Sequence, residues 1–298
     1  MPDSQKRLAS AVALALVALA WGTSYAITKD ALGTIRPFAL MTLRFGLSTV
    51  LLAVVFAGRL KNIKKDDLRR GSIIGIFMFL SFLTLVTGIR YTTASKQAFL
   101  VCAYVLIVPF LAWVINRRKP DSYSIAGAVL ATFGIGLLTL NGTMGFNAGD
   151  MISLLCSFFF ACHMIAIERF NSDSDPILMT VIQFAVTSVL FILLSGIFES
   201  FEFNISGRIA VSVGYLVVVT TVIAFAVQNI AQRYISANST ALILTLESAF
   251  GSVFAVFFLG EIMTVQMIIG CVIIFLGIIT QETKWDFLKG KIGRAQGR

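Results

Sequence analysis

Charge is scarce in this chain: 13% of its 298 residues are Asp, Glu, Lys or Arg, against about 25% in a typical soluble domain. That deficit excludes a sizeable water-exposed domain. Histidine occurs once, as His163, and a lone imidazole without Cys or His neighbours makes no zinc site. Four cysteines, Cys102, Cys156, Cys162 and Cys271, all fall in apolar stretches. They show neither metal-ligand spacing nor a disulfide framework and read as small core residues. Gly-rich phosphate loops, paired catalytic carboxylates and a nucleophile elbow are missing as well. Nothing supports an enzyme, and no cofactor is expected. Without an ATP-binding motif, any transport must draw on a gradient, that of an ion or of the cargo itself.

Apolar length is what the chain has in abundance. Hydrophobic residues make up 57% and come in runs of roughly 20, the length that crosses about 30 Å of hydrocarbon. An all-α integral membrane fold with ten transmembrane helices is expected, near 8–28, 37–58, 71–90, 94–115, 122–140, 149–170, 176–198, 209–232, 237–258 and 264–281. Lys6-Arg7, an apolar run and Ala18-Leu19-Ala20 imitate a secretory signal. The run is long for one, and Trp21-Gly22-Thr23-Ser24 continues it as a membrane helix.

The net charge of +9 informs mainly through its placement. With the N-terminus inside, eighteen basic residues fall on inner segments and five outside, at Lys29, Arg36, Arg90, Lys96 and Arg208. This excess supports an N-in, C-in arrangement, with both termini cytoplasmic and the protein in the cell membrane. The basic tail, 282–298, is expected to lie beside anionic lipid rather than to bind nucleic acid.

The two halves repeat each other. A shift of 143 residues lays Arg90-Tyr91 on Arg233-Tyr234, Ala94 on Ala237, Ala98 on Ala241, Gly127 on Gly270 and Gly134 on Gly277. Residues 1–141 and 149–281 read as two five-helix units. An odd-numbered unit used twice enters the bilayer from opposite sides, so the repeats are expected to be inverted, as in many secondary transporters. Gly71-Ser72-Ile73-Ile74-Gly75 has the small-xxx-small form of a close helix contact.

Polar residues at membrane depth are the candidate site, because a charge there costs about 2.5–3.5 kcal/mol on insertion scales. Glu247 sits mid-way along the ninth span. Its counterpart under the shift is Tyr104, mid-way along the fourth, so both are expected at one central plane, lining a cavity. Arg44 and Gln183 both lie seven residues beyond a span-opening proline, Pro37 and Pro176. Arg44 either binds a cargo carboxylate or pairs internally. Lys96 is a snorkelling lysine or a cation at the cavity mouth. His163 is a packed imidazole or a proton relay, and Trp21 a cavity wall or a packing residue. Glu168 and Glu261 lie at span ends and read as interfacial.

These residues together resemble a known pattern. Trp21-Gly22-Thr23-Ser24 with Lys29, Arg44-Phe45, the segment Tyr91-Thr92-Thr93-Ala94-Ser95-Lys96-Gln97-Ala98-Phe99-Leu100, its echo Ala237-Asn238-Ser239, and Leu259-Gly260-Glu261 occur in the order found in the drug/metabolite transporter superfamily, in its ten-helix EamA-domain branch. The resemblance covers essentially the whole chain. It implies two inverted five-helix repeats around a central substrate cavity, and a cargo such as an amino acid, another small metabolite, a nucleotide sugar or a sugar phosphate, often exported. One departure stands out: Asn116-Arg117-Arg118-Lys119-Pro120 replaces in the first half what is Leu259-Gly260-Glu261 in the second. A symmetric role for Glu261 is therefore doubtful. The expectation is a monomeric secondary transporter, working by alternating access on a small-molecule substrate, with a proton as a candidate coupling ion. A passive channel or facilitator is the alternative, disfavoured because the charges are isolated rather than arranged in rings.

Overall fold

The computed structural model describes residues 3–92, 94–117, 119–139, 147–171, 173–199, 206–259 and 265–284. Every regular element among them is helical: α1 (Asp3–Ala31), α2 (Pro37–Val55), the short α3 (Ala57–Leu60), α4 (Lys65–Gly88), α5 (Ala94–Cys102), α6 (Tyr104–Asn116) and α7 (Ser122–Thr139). There follow α8 (Ala148–Asn171), α9 (Pro176–Phe198), α10 (Gly207–Val217), a π-helical turn (Val218–Ile223), α11 (Ala224–Ala231), α12 (Ala237–Leu244), α13 (Leu246–Leu259) and α14 (Val265–Thr283). Seven helical stretches are long and apolar enough to cross a membrane, and shorter apolar helices cover 122–137 and 268–281. The protein is a multi-pass membrane protein. Lipid offers no hydrogen bonds, so the backbone must satisfy itself within each segment, and a helix does so.

Local chemistry sets the helix starts. Pro37 and Pro176 occupy the first turns of α2 and α9, where the missing N–H is no loss. The Asp175 carboxylate accepts from the Ile177 N–H at 2.9 Å, and Asp121 accepts from that of Ser124 at 2.7 Å. Lys284, just past α14, donates to Asp121 at 2.6 Å. That bond holds the Asp121 carboxyl below its ordinary value and ties the end of α14 to the start of α7.

Three of the expected spans are not continuous helices. The stretch 94–115 breaks at Ala103 and 237–258 at Thr245, while 209–232 widens into the π-helical turn. Glu261, the tail beyond 284 and the Lys96 side chain lie outside the described residues.

Glycines decide where helices approach most closely. A Cβ on Gly134 would lie 2.7 Å from the Gly270 carbonyl oxygen, and one on Gly127 2.9 Å from that of Gly277. Ascending numbers on α7 meet descending numbers on α14, so the two helices cross antiparallel. Gly71 and Gly75 let α4 settle onto Ile182 and the Gln183 carbonyl of α9. Gly22 brings α1 onto α13, where a Cβ would stand 2.8 Å from the Glu247 carbonyl oxygen. Gly134→Val is therefore expected to lower the unfolding temperature in detergent, by the equivalent of about 1–3 kcal/mol of overpacking. Gly214→Ala, whose Cβ meets nothing within 4 Å, is the silent control. Equal unfolding temperatures for the two variants would remove the close crossing.

Candidate functional site

The helix breaks position the two mid-span residues. At Thr245 the chain tightens: the Thr245 N–H bonds the Leu242 carbonyl at 3.2 Å, and the Ser248 N–H bonds the Thr245 carbonyl at 3.1 Å. The hydroxyls of Thr245 and Ser248 donate to those same carbonyls at 2.6 and 2.7 Å, a local competition with the helical ladder. Glu247 thus falls in the first turn of α13, where the helix dipole favours negative charge. The first half repeats the device. The Ala103 N–H bonds the Leu100 carbonyl at 3.2 Å, and Tyr104 becomes the first residue of α6. Pro109 inside α6 removes a further donor from the ladder.

Glu247 is buried, at 2% exposure. The Tyr25 hydroxyl and the Cys102 thiol both donate to its Oε1, at 3.3 and 3.2 Å. Tyr25 reaches it because Gly22, one turn earlier, lets α1 lie directly on α13. The Tyr104 hydroxyl is buried near Glu247 and Cys102, without a partner of full hydrogen-bond geometry among the described residues. Its ring packs on Phe160, with centroids 5.3 Å apart.

Arg44 is also buried, and the π-helical turn receives it. Arg44 Nε donates to the Thr221 hydroxyl at 2.6 Å, and Nη2 donates to the Thr220 hydroxyl at 3.1 Å and carbonyl at 3.4 Å. Trp21 Nε1 donates to the same carbonyl at 2.9 Å. The turn has a local cause. Val218-Val219-Thr220-Thr221-Val222-Ile223 is entirely β-branched, which crowds an α-helix. The hydroxyls of Thr220 and Thr221, one residue apart, both donate to the Leu216 carbonyl, at 2.9 and 2.7 Å. Such single π turns recur at functional sites. The guanidinium stands 4.9 Å from the centroid of the Phe82 ring, a cation–π contact. No ion pair joins Arg44 to a carboxylate among the described residues.

These groups surround a partly open cavity whose empty space, solvent at its mouth included, is about 470 Å³. From α1 it is lined by Trp21, Ser24, Tyr25 and Thr28, from α2 by Arg44, and from α4 by Ser81, Phe82 and Leu85. Val101, Cys156, Phe160, Phe225 and Glu247 complete it. The α1 and α4 lining lies toward their C-terminal ends. Of the residues singled out from sequence, Trp21, Arg44 and Glu247 line this space. Tyr104 is not itself among the lining residues; it packs on Phe160, which is. His163 does not line it. Its Nε2 lies 2.8 Å from Gln183 Oε1, and its ring stacks on Phe160 at 5.6 Å. Lys96 is helical in its backbone, and its side chain lies outside those described. Sequence reasoning missed Tyr25, Cys102 and the two threonines. Tyr25 lies four residues beyond Trp21, on the same helix face, and the β-branched run around Thr220 was the available signal for the turn.

Two segments, 8–140 and 147–280, match the model of the EamA-like transporter family. The chain belongs to that family. A protein of Archaeoglobus fulgidus named an uncharacterized transporter is 32% identical over 279 residues, 93% of this chain and 87% of the other. A Salmonella typhimurium protein named a probable amino-acid metabolite efflux pump is 25% identical over 276 residues, 88% of this chain and 91% of that one. A solved structure superposes with a TM-score of 0.75 at 16% identity, covering 92% of this chain and 98% of the other; at that identity it shows shared fold alone. The EamA-like chain is a membrane transporter, and its cavity is the candidate cargo site.

Thr221→Val keeps the β-branched shape of the residue and deletes the 2.6 Å acceptor of Arg44 together with one of the two hydroxyl bonds to the Leu216 carbonyl. Leaving a buried charged donor unpaired costs about 1–3 kcal/mol. A matching fall in unfolding temperature in detergent is expected, and an unchanged value would show that Arg44 does not depend on the turn.

Proposed function

We propose that this EamA-like transporter is a secondary carrier, most simply an exporter, of small zwitterionic metabolites such as amino acids. One observation carries this reading: Glu247 and Arg44 are buried and line a single cavity, and neither is neutralised by an ion pair among the described residues. Uncompensated opposite charges at membrane depth are costly. A cargo with an ammonium group toward Glu247 and a carboxylate toward Arg44 would offset that cost. The walls between them are aromatic, from Trp21, Phe82, Phe160 and Phe225, suited to an apolar side chain. The name carried by the Salmonella typhimurium relative points the same way.

The carrier works by alternating access between two inverted five-helix units, 1–141 and 149–281, with ten spans, both termini cytoplasmic and one chain sufficient to enclose the site. The helix packing supports this. Under the shift of 143, the contact of Gly127 with Gly277 maps onto that of Gly270 with Gly134, the self-complementary form of a two-fold interface. Residues also touch their own counterparts: Phe82 meets Phe225 at 6.0 Å, and with the offset of 139 set by Pro37 and Pro176, Phe45 meets Phe184 at 5.9 Å and Trp21 meets Phe160 at 5.7 Å. Such self-contacts arise beside a symmetry axis. The cavity is the fixed point about which the units would rock, and Glu247 is also the group placed to carry a coupling proton.

Proteoliposomes test the proposal. Saturable flux of neutral amino acids is expected, with competition lost when the cargo amine is acetylated or its carboxyl esterified. Glu247→Gln and Arg44→Gln should each lower flux about 30-fold or more, the scale of removing one member of a buried charge pair. Glu247→Gln should also flatten the pH dependence. Flux that never saturates would favour the channel, and wild-type flux in both variants would remove the two charges from recognition.

A further inference from the structure

The cavity has a closed image in the other half of the protein. Repeat counterparts of its lining residues Ser24 and Arg44, at the offset of 139, are His163 and Gln183. At the offset of 143, Leu85 corresponds to Gln228. All three counterparts are fully buried, lying on α8, α9 and α11 as the originals lie on α1, α2 and α4. Each holds a polar atom with no hydrogen-bond partner among the described residues: His163 Nδ1, Gln183 Nε2 and Gln228 Oε1. Buried polar atoms are rarely left unpaired. A tightly packed core has no use for three of them along one seam, whereas a seam that periodically fills with water does.

Arg233 clips this seam shut together with two buried bonds, from Asn171 Nδ2 to the Asn229 carbonyl at 2.7 Å and from Gln232 Nε2 to the Met164 carbonyl at 3.0 Å. Arg233, in the turn after α11, donates from Nε to the carbonyl of Asn171, the last residue of α8, at 3.2 Å and from Nη2 to that of Ser174, in the loop before α9. Arg59 and Arg70 from the first half reinforce the same loop, through Asp175 at 2.7 Å and Asp173 at 3.8 Å. The counterpart of Arg233 is Arg90, in the turn after α4. The two turns share their form: Tyr91 N–H bonds the Gly88 carbonyl at 2.9 Å as Tyr234 N–H bonds that of Ala231 at 2.9 Å. Yet Arg90 is exposed, with no hydrogen bond or ion pair to any described residue. The acceptors that Arg233 uses are backbone carbonyls, which any sequence supplies. Their counterparts are the carbonyls of Leu32 and Ile35, in the turn after α1.

We infer that Arg233 and Arg90 are alternating latches: Arg233 holds the His163–Gln183–Gln228 seam closed at the expected cytoplasmic end in this conformation, and Arg90 grips the Leu32 and Ile35 carbonyls when the cavity closes at the other end and the seam opens as the second half of the cargo route. This rests on the alternating-access reading and names the residues that set its two end states.

Membrane-impermeant maleimide, added from one side to full-length protein in oriented membranes and located by mass spectrometry, tests it. Ser24→Cys reports the cavity and Gln228→Cys the seam. Arg233→Gln is expected to raise cytoplasmic-side labelling of Gln228→Cys about tenfold and to depress labelling of Ser24→Cys, the scale of losing a charged hydrogen bond. Arg90→Gln should do the reverse and slow flux. Because Arg90 is exposed and makes no hydrogen bond or ion pair with a described residue in this conformation, its variant keeps the test decisive even where Arg233→Gln fails to fold. If Arg90→Gln leaves flux and both labelling rates at wild-type values while cargo still shifts labelling between the two sites, the latch is wrong and the carrier stands. If Gln228→Cys never labels from the cytoplasmic side in any variant, with or without neutral amino acids, both fall.

Discussion

The structure turns on one constraint: in hydrocarbon every backbone amide must find its partner close by, and the helix is how it does so. The site exists where that rule is bent. At Ala103 and Thr245 the ladder tightens into three-residue bonds, and at Val218–Ile223 it loosens into a π turn. Hydroxyls of Thr220, Thr221, Thr245 and Ser248 donate to the carbonyls at two of these places. The π turn leaves the Thr220 carbonyl free to accept from Trp21 and Arg44, which line the cavity. Arg44 and Trp21 dock on that turn, and Glu247 begins a helix at the Thr245 break.

The second organising feature is close approach at glycine. Gly127 and Gly134 bring α7 onto α14, and Gly22 brings α1 onto α13. Without a hydrophobic drive between helices in lipid, contact depends on packing, and the shortest side chain permits the most. At Gly22 this packing has chemical consequence, since it sets the Tyr25 hydroxyl within reach of Glu247. The pairs Phe45–Phe184 and Phe82–Phe225 give the middle of the bundle a core that its two halves share. The halves diverge in what surrounds it. At positions that correspond under the proposed repeat, Arg44 matches Gln183, Ser24 matches His163 and Tyr104 matches Glu247, so the charges are not shared between the halves.

Much of this was legible without coordinates. Runs of apolar residues announce membrane helices because nothing else tolerates that composition. Glu247 and Arg44 stand out because an ionisable group inside such a run needs a reason. Pro37 and Pro176 mark helix starts through their missing donors. His163 shows the other side. Sequence left it either a packed imidazole or a proton relay, and only the coordinates set it against Gln183 and Phe160, outside the cavity lining. Tyr25 shows it too: a tyrosine in an apolar helix is ordinary, and only its neighbour across the bundle gives it a role.

The order of the residues alone determined the membrane environment and the approximate helices, and singled out Glu247 and Arg44 as charges at membrane depth, because each follows from local composition and the energy of transfer into lipid. Which faces turn inward, where helices break to free a carbonyl, and which side chains meet around Glu247 and Arg44 were decided only by the tertiary structure. The reason is physical. A lipid-exposed face and a core-facing face are both apolar, so periodicity along a span barely distinguishes them, and contact between distant segments settles what local pattern leaves open.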